Sequence, residues 1–115
     1  MQFLALIHTN EGEWERLSDD ERQALYQRYM TFGEGDDRVL GGAELQPTSA
    51  ATTVRLRNGD RLVTDGPYAE VKEALGGFYI LECDSIDEAC QLAAGIPATE
   101  HGAVEIRPVY VREES

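Results

Sequence analysis

The residues best suited to chemistry lie in and around a turn near the middle of the chain. Asp65 is followed by Gly66 and Pro67. This triplet predicts an ordered turn, because glycine adopts backbone angles that other residues avoid and proline fixes its own. The Asp65 carboxylate would either cap that turn or accept a proton from a bound molecule. Tyr68 and Lys72 follow, the first as a hydroxyl donor and the second as an anchor for negative charge.

Histidine provides a second set of candidate groups. The chain contains two histidines, His8 and His101, and either could exchange protons near neutral pH. His8 ends the first predicted strand and His101 precedes the last, so an antiparallel arrangement would bring both to one edge of a sheet. One hypothesis pairs His8 with Asp65 in proton transfer. The alternative is that each imidazole is exposed or has only a structural partner.

Two charged residues near the end of the chain form a third candidate group. Glu105 and Arg107 alternate with apolar Val104 and Ile106, so both charges should point to the same face of a strand. They could form a salt bridge within the sheet without further function. Together with Lys72, Arg107 could instead hold the carboxylate or phosphate group of a ligand. Glu105 would then line the same site.

Two helices should support these groups. Ser18 with Glu21, and Ser85 with Glu88, have the spacing of a capping box, in which serine and glutamate side chains each bond a free backbone N–H at a helix start. The first helix is predicted near residues 19–33, because an apolar stripe follows and ends at glycine. The second begins after Ser85 and stops before Pro97. The apolar stripe of the first helix comprises Leu25, Tyr26, Tyr29, Met30 and Phe32.

Strands are predicted on both sides of each helix. Residues 3–7 form an apolar run that should be buried on both faces, and Asn58-Gly59 has the composition of a tight hairpin turn. The glycine pairs Gly41-Gly42 and Gly76-Gly77 indicate close packing of backbones, since neither has the lysine of a phosphate-binding loop. The remaining predicted strands cover residues 39–45, 52–57, 61–64, 78–83 and 104–109.

This order of elements predicts one domain in which two helices cover one face of an antiparallel sheet and a hairpin is inserted. The opposite face carries apolar side chains of the first strand and of residues 78–83, so we expect it to be buried against a second copy in a homodimer. At 115 residues, the chain is long enough to fold around one core without metal or disulfide.

The composition limits the partners and the location. The chain has 22 acidic and 10 basic residues, a net charge of −12, which disfavours direct binding to nucleic acid or to an anionic membrane. No segment has the composition of a signal peptide or a membrane span, so a cytoplasmic location is expected. Cys83 and Cys90 lack metal-ligand spacing, and we expect neither a metal nor another cofactor.

Residues 65–78, DGPYAEVKEALGGF, resemble the DGPFAETKEQLGGF segment of the YCII-related family, also called the DGPF family. The resemblance extends in the same order to residues 1–14, 40–47, 52–59 and 103–109. It implies a ferredoxin-like α+β domain that dimerises as an α+β barrel. Some relatives carry a His-Asp pair with the histidine near the first helix. Residues 16–33 of this chain contain no histidine, so that pair cannot be carried over.

These observations favour binding of a small molecule, with or without negative charge, in a cleft beside the Asp65 turn. Any catalysis there would be cofactor-free acid–base chemistry. The alternative, which the resemblance implies, is a non-enzymatic accessory that contacts a sigma factor in transcription initiation. The candidate residues are Asp65, His8 and Tyr68 for proton transfer, and Lys72, Arg107 and Glu105 for ligand binding.

Overall fold

The described residues of the chain, 1–112, come from a computed structural model. Nine helices and strands are defined within them. In chain order they are β1 (Gln2–Thr9), α1 (Glu11–Arg16), α2 (Asp19–Thr31), β2 (Val39–Glu44), β3 (Thr52–Arg57), β4 (Asp60–Asp65), β5 (Ala74–Glu82), α3 (Ile86–Ala93) and β6 (Ala103–Pro108). Short 3-10 turns occupy Thr48–Ala50 and Pro97–Glu100.

The main sheet has four strands in the order β2-β5-β1-β6, with every neighbouring pair antiparallel. This is the order of a ferredoxin-like sheet, and the predicted α+β class with an antiparallel sheet is confirmed, whereas dimerisation through the open face stays a prediction. Alternation along the central strand β1 separates the two faces. Phe3, Ala5 and Ile7 are buried on the helix-facing side, whereas Leu4 and Leu6 on the opposite, open face are half-buried.

The two predicted helices begin where the capping residues lie. The Ser18 hydroxyl accepts from the backbone N–H of Glu21, whose carboxylate accepts from the N–H of Ser18, so the predicted capping box is complete. At Ser85 the hydroxyl caps α3, but the carboxylate of Glu88 accepts from Asp84, one residue earlier. The second box is therefore only half formed.

Helix α1 is not predicted by the sequence patterns. The side chain of Asn10 accepts from the backbone N–H of Gly12 and starts this single short helix. Its sequence, EGEWER, has charged residues on all sides and contains glycine, so periodicity and propensity give little signal.

The closed part of the core lies beneath α3. Ala89 and Ala93 of that helix are buried, and the small alanine side chains allow the helix to approach β1 and β5 closely. Helix α2 has no buried residue. An ion pair between Arg28 and Glu100 holds its C-terminal end. Because α3 buries side chains and α2 buries none, the helices pack closely on the sheet at α3 and leave space at α2.

Strands β3 and β4 form a separate two-stranded sheet, here called the arm (residues 52–65). Its tight turn is confirmed, with positive φ values of 53° at Asn58 and 82° at Gly59. At its base Gly66 has a φ of 106°, which a side chain would disfavour. Strand β5 then begins at Ala74, earlier than predicted, because Leu75 and Gly77 already pair with β1.

Among residues 1–112, no helix is both long enough and apolar enough to cross a lipid bilayer.

Candidate functional site

A cavity lies between the helix-facing side of the main sheet and the helices α1 and α2. Its volume is about 630 Å³, within the range typical of small-molecule sites. Strands β2 and β5 form its floor, α2 forms one wall and α1 closes one end. Its lining combines aliphatic and aromatic residues with carboxylates, and the aromatic and acidic members are Glu11, Trp14, Glu15, Tyr26, Tyr29, Phe32, Glu44, Phe78 and Tyr79.

Glycine residues explain why the space above β2 and β5 is not filled by side chains. Gly41, Gly42, Gly76 and Gly77 all line the cavity. A Cβ atom at Gly42 would collide with the carbonyl oxygen of Phe78, and one at Gly77 would lie 2.8 Å from the carbonyl oxygen of Ala43. The glycines thus permit close pairing of β2 with β5, as predicted. They also leave the floor without the side chains that would fill the space under α2.

Aromatic rings with polar ends join the floor to the α2 wall. The Tyr79 hydroxyl donates to the backbone carbonyl of Tyr29 at 3.2 Å, and the rings of Phe32 and Tyr79 pack with centroids 4.8 Å apart. Burial raises the pKa of Tyr29 to about 12 and also raises the pKa of Tyr79. Both hydroxyls therefore stay protonated at neutral pH and can act as hydrogen-bond donors.

A paired hydrogen bond holds the end of the cavity together. The two carboxylate oxygens of Glu11 accept from the backbone N–H and the hydroxyl of Thr48, each at 2.8 Å. Glu11 begins α1 and Thr48 lies in the connection between β2 and the arm. This contact therefore fixes the α1 end of the cavity to the loop that leads away from its floor.

The cavity is acidic. Glu11, Glu15 and Glu44 line it, and no lysine, arginine or histidine of residues 1–112 belongs to its lining. An anionic ligand would therefore meet carboxylates without a compensating cation, which is unfavourable in a partly buried site. A neutral ligand with hydroxyl donors would meet acceptors instead.

The six residues predicted from sequence fall into two groups, and none of them lines this cavity. Asp65, Tyr68 and Lys72 lie at the base of the arm and in the turn after it, all exposed. The Tyr68 ring packs beneath the guanidinium group of Arg55, 4.8 Å from its centroid. Within residues 1–112, no hydrogen bond engages the Asp65 carboxylate. The turn is tied instead through the Gly66 N–H and the carbonyl of Ala51, at 2.7 Å.

His8, Glu105 and Arg107 form the second group, on the open face of the main sheet. His8 Nε2 lies 3.1 Å from one oxygen of Glu105, and Arg107 lies 3.9 Å from the other. The structure thus joins the imidazole to Glu105, and the described residues show no hydrogen bond or ion pair between His8 and Asp65. His101 is exposed and lies two residues before Ala103, which pairs with His8.

Sequence reasoning missed the residues that line the cavity. Tyr26, Tyr29 and Phe32 were recognised as the apolar stripe of a helix, but such a stripe usually fills a core. The available signal was the combination of this aromatic stripe with glycine pairs on the strands opposite. Glycines on the strands facing large side chains on the helix are compatible either with close packing or with a cavity. Only the structure shows which of the two is present.

Comparison with known proteins agrees with this fold. A family model, the YCII-related domain, matches residues 1–113. An uncharacterised protein of Rhizobium meliloti (strain 1021), R00369, is 37% identical over 121 residues, which cover 95% of this chain and 92% of that protein.

A solved structure shares the fold at low sequence identity. It is 5-chloro-2-hydroxyhydroquinone dehydrochlorinase (TftG) from Burkholderia phenoliruptrix AC1100, in complex with 2,5-dihydroxybenzoquinone. The two chains superpose with a TM-score of 0.57 at 18% identity, covering 96% of this chain and 94% of the other. At this identity the likeness concerns the fold alone.

Proposed function

The chain belongs to the YCII-related domain family, and on that premise we propose that its helix-side cavity binds a small, neutral, hydroxylated aromatic molecule. The observation that carries the proposal is the lining: aromatic rings from α1, α2 and β5, bare glycine backbone on β2 and β5, and carboxylates with no basic side chain among the described residues. A flat ring fits between such surfaces, because aromatic walls bury its faces and the glycine floor leaves room for close approach.

The polar groups of the cavity suit hydroxyl substituents on that ring. Glu15 and Glu44 accept hydrogen bonds from hydroxyl groups, while the neutral phenol of Tyr29 donates to an oxygen atom. The single O–H of Tyr79 is already donated to the backbone carbonyl of Tyr29. A hydroxylated ring offers both donors and acceptors. The anionic ligand suggested by the sequence fits this lining poorly, because the basic candidates Lys72 and Arg107 lie outside it.

The same groups support cofactor-free proton transfer, as proposed from the sequence for other residues. We assign the proton acceptor to Glu44, whose charge acts on both Tyr29 and Tyr79. The O–H bond of a ring hydroxyl breaks, its proton forms a new bond to the carboxylate, and the electron pair stays on the ring oxygen. Tyr29 then stabilises that oxygen by donating a hydrogen bond.

The solved structure with the same fold supports the ligand class. TftG holds a dihydroxylated six-membered ring, 2,5-dihydroxybenzoquinone. That ligand belongs to the other protein, and its relevance here rests on the aromatic and acidic lining of this chain's cavity. The relative R00369 is uncharacterised and adds no ligand.

The test is a titration followed by the fluorescence of Trp14, the single tryptophan of the chain, which borders the cavity. Hydroquinone and benzoate have similar ring size, but the first is neutral with two hydroxyls and the second is an anion. We expect a saturable change with hydroquinone and none with benzoate. Glu44→Gln should weaken hydroquinone binding about tenfold, since it replaces a charged acceptor with a neutral one.

Asp65→Asn is the matched control, because it also replaces a carboxylate with an amide, at the turn that the sequence analysis proposed as the site. It should leave the titration unchanged. Weaker binding in Asp65→Asn, with normal binding in Glu44→Gln, would place the site at the turn and contradict the cavity proposal. No response to hydroquinone, together with capture of a sigma factor by the protein, would favour the accessory role instead.

A further inference from the structure

Three carboxylates line the cavity, and only one of them has a partner in the described part of the chain. Both oxygens of Glu11 accept hydrogen bonds from Thr48. The carboxylates of Glu15 and Glu44 take part in no hydrogen bond or ion pair within residues 1–112. A neutral hydroxylated ring would give each of them a hydrogen bond, but it would leave both negative charges uncompensated.

Glu15 lies on the same side of α1 as a tryptophan. Glu11, Trp14 and Glu15 are three and four residues apart, a spacing that places side chains on one face of a helix, and all three line the cavity. Glu13 and Arg16 occupy other positions on α1 and do not belong to the lining. The cavity side of α1 therefore presents an unpaired carboxylate together with an indole ring.

Tyr26 adds a second ring at the same end of the cavity. Arg22, in the first turn of α2, donates to the backbone carbonyls of Trp14 at 3.1 Å and Glu15 at 2.7 Å, which holds the end of α1 against α2. Tyr26 follows one turn later on the same side of α2 and lines the cavity with Trp14. Both rings also border a shallow depression on the outer surface, so they stand where the cavity opens to solvent. Trp14, Glu15 and Tyr26 are here called the mouth.

The charge around the mouth is negative. Residues 10–22 carry six acidic and two basic residues, and the basic ones are Arg16 and Arg22. The Arg22 guanidinium is engaged by the two backbone carbonyls and by Asp19, whose carboxylate oxygen lies 3.4 Å away. Neither arginine belongs to the cavity lining. The excess of carboxylates would raise the local concentration of a positively charged ligand and lower that of an anion.

Aromatic rings and an unpaired carboxylate are the groups that bind organic ammonium ions. The face of an indole or phenol ring attracts a cation through its quadrupole, and a carboxylate accepts charge-assisted hydrogen bonds from N–H donors. A primary ammonium has three such donors on a compact head. It would compensate the charge of Glu15, which a neutral hydroxyl cannot do. An uncharged substituent would gain only apolar contact at the mouth.

We propose that the cavity binds a phenolic amine, whose hydroxylated ring lies over the glycine floor and whose protonated primary amine lies at the mouth, beside Glu15 and the rings of Trp14 and Tyr26. The assignment rests on the proposed function for the ring, which stays uncharged, and adds a positive charge on a short tail. A volume of about 630 Å³ leaves room for such a tail beside one ring. Glu44 keeps its role at the ring hydroxyl.

The test compares three phenols of similar size by isothermal titration calorimetry. Tyramine has an ammonium group at the end of its tail, para-propylphenol has a methyl group in that place, and para-hydroxyphenylpropionate has a carboxylate. We expect tyramine to bind about tenfold more tightly than para-propylphenol, because it adds an ion pair and a cation–π contact. The carboxylate compound should not bind measurably.

The uncharged phenol separates the two proposals. Equal affinity for tyramine and para-propylphenol would overturn the amine assignment and leave the proposed function standing. Absence of binding by both phenols would overturn the proposed function and the amine assignment together. Tighter binding of para-hydroxyphenylpropionate than of tyramine would show that the mouth attracts anions, and would overturn the assignment.

Glu15→Gln removes the charge at the mouth and keeps the shape of the side chain. The ratio of the two affinities, tyramine over para-propylphenol, should fall from about tenfold to about threefold, because the ion pair is lost and the cation–π contact remains. Glu13→Gln is the matched control, since it removes one charge from the same helix at an exposed position outside the lining. It should leave the ratio unchanged. An equal fall in both variants would show that the net charge of the chain, and not the mouth, attracts the amine, and would overturn the assignment.

Two further variants locate the amine within the cavity. Glu44→Gln should weaken tyramine and para-propylphenol by the same factor, because both place a hydroxyl there, so the ratio should be maintained. Trp14→Leu should lower the ratio about threefold, because leucine keeps apolar bulk but has no ring quadrupole. A ratio that falls in Glu44→Gln and is maintained in Glu15→Gln would place the amine at the floor, and would overturn the assignment to the mouth.

Discussion

Single side chains decide which protons the cavity can hold, and Tyr29 is the clearest case. Burial raises its pKa from 10.0 to about 12, because the phenolate would lose hydration and face the charge of Glu44. The folded pKa lies above the unfolded value. The stabilisation is therefore fully present below pH 10, the unfolded pKa, and is lost as the pH rises towards 12.

We expect Tyr29→Phe to remove one late step from the alkaline titration of phenolate absorbance, and to flatten the loss of stability over the same pH range. Tyr79, whose pKa is also raised, should still titrate late in the variant. Tyr110, which is 81% exposed, provides the control through Tyr110→Phe. Removal of an early step by Tyr29→Phe would show that the cavity wall is open to water.

Individual residue roles were the hardest feature to predict from sequence. Asp65 attracts attention because Asp-Gly-Pro predicts a turn, and the structure does contain that turn with a positive φ at Gly66. The position of a turn along the chain does not determine what its carboxylate contacts. His8 shows the same limit, since the pairing of β1 with β6 brings Glu105 near its ring through a contact 97 residues apart in sequence.

At the scale of elements, two adjacent glycines in β2 have different structural roles. A Cβ atom at Gly42 would collide with the backbone of Phe78, whereas one at Gly41 would meet no atom within 4 Å. We expect Gly42→Ala to destabilise the protein by about 1–3 kcal/mol, the usual cost of overpacking, because the colliding atom is backbone and β2 must move. The measurement is urea unfolding.

Gly41→Ala is the control for this prediction, since it makes the same change one residue away in the same strand. It should alter the free energy of unfolding by less than about 1 kcal/mol. Equal effects of the two substitutions would mean that strand propensity, and not the close approach of β2 to β5, determines the choice of glycine.

Elements with local signals were predicted well. The capping box at Ser18, the Asn58-Gly59 turn and the apolar run of β1 each fix a conformation through residues close in sequence. Helix α1 was missed because its cap is a single asparagine and its sequence has no apolar face. The cavity could not be predicted, because it depends on how far α2 stands from the sheet, and no local pattern encodes that distance.

At the scale of the whole molecule, shape and charge act together. The chain is only 19 Å thick but 53 Å and 47 Å across, and its net charge is −12. Many carboxylates therefore lie near a surface that is large for its volume, and their mutual repulsion opposes folding. The ion pairs of Arg28 and Arg38 offset a small part of that repulsion.

We expect the melting temperature to rise by a few degrees when salt is added from low to physiological concentration, because the Debye length falls from about 30 Å at 0.01 M to about 8 Å. Differential scanning calorimetry at constant protein concentration measures the change in melting temperature. Sucrose at equal osmolarity is the uncharged control. A melting temperature that falls with salt would show that attraction between charges outweighs repulsion in this fold.

The segment that carries the arm has an evolutionary consequence. The chain departs from the sheet after Leu45 and returns at Gly76, and these two residues are joined by a backbone hydrogen bond. Everything between them is a detour inside an otherwise continuous hairpin of β2 and β5. Such a detour can be lengthened, shortened or replaced without changing the register of any strand in the main sheet. Relatives that share the main sheet can therefore differ in the length of this segment, and its deletion should leave the pairing of β2 with β5 intact.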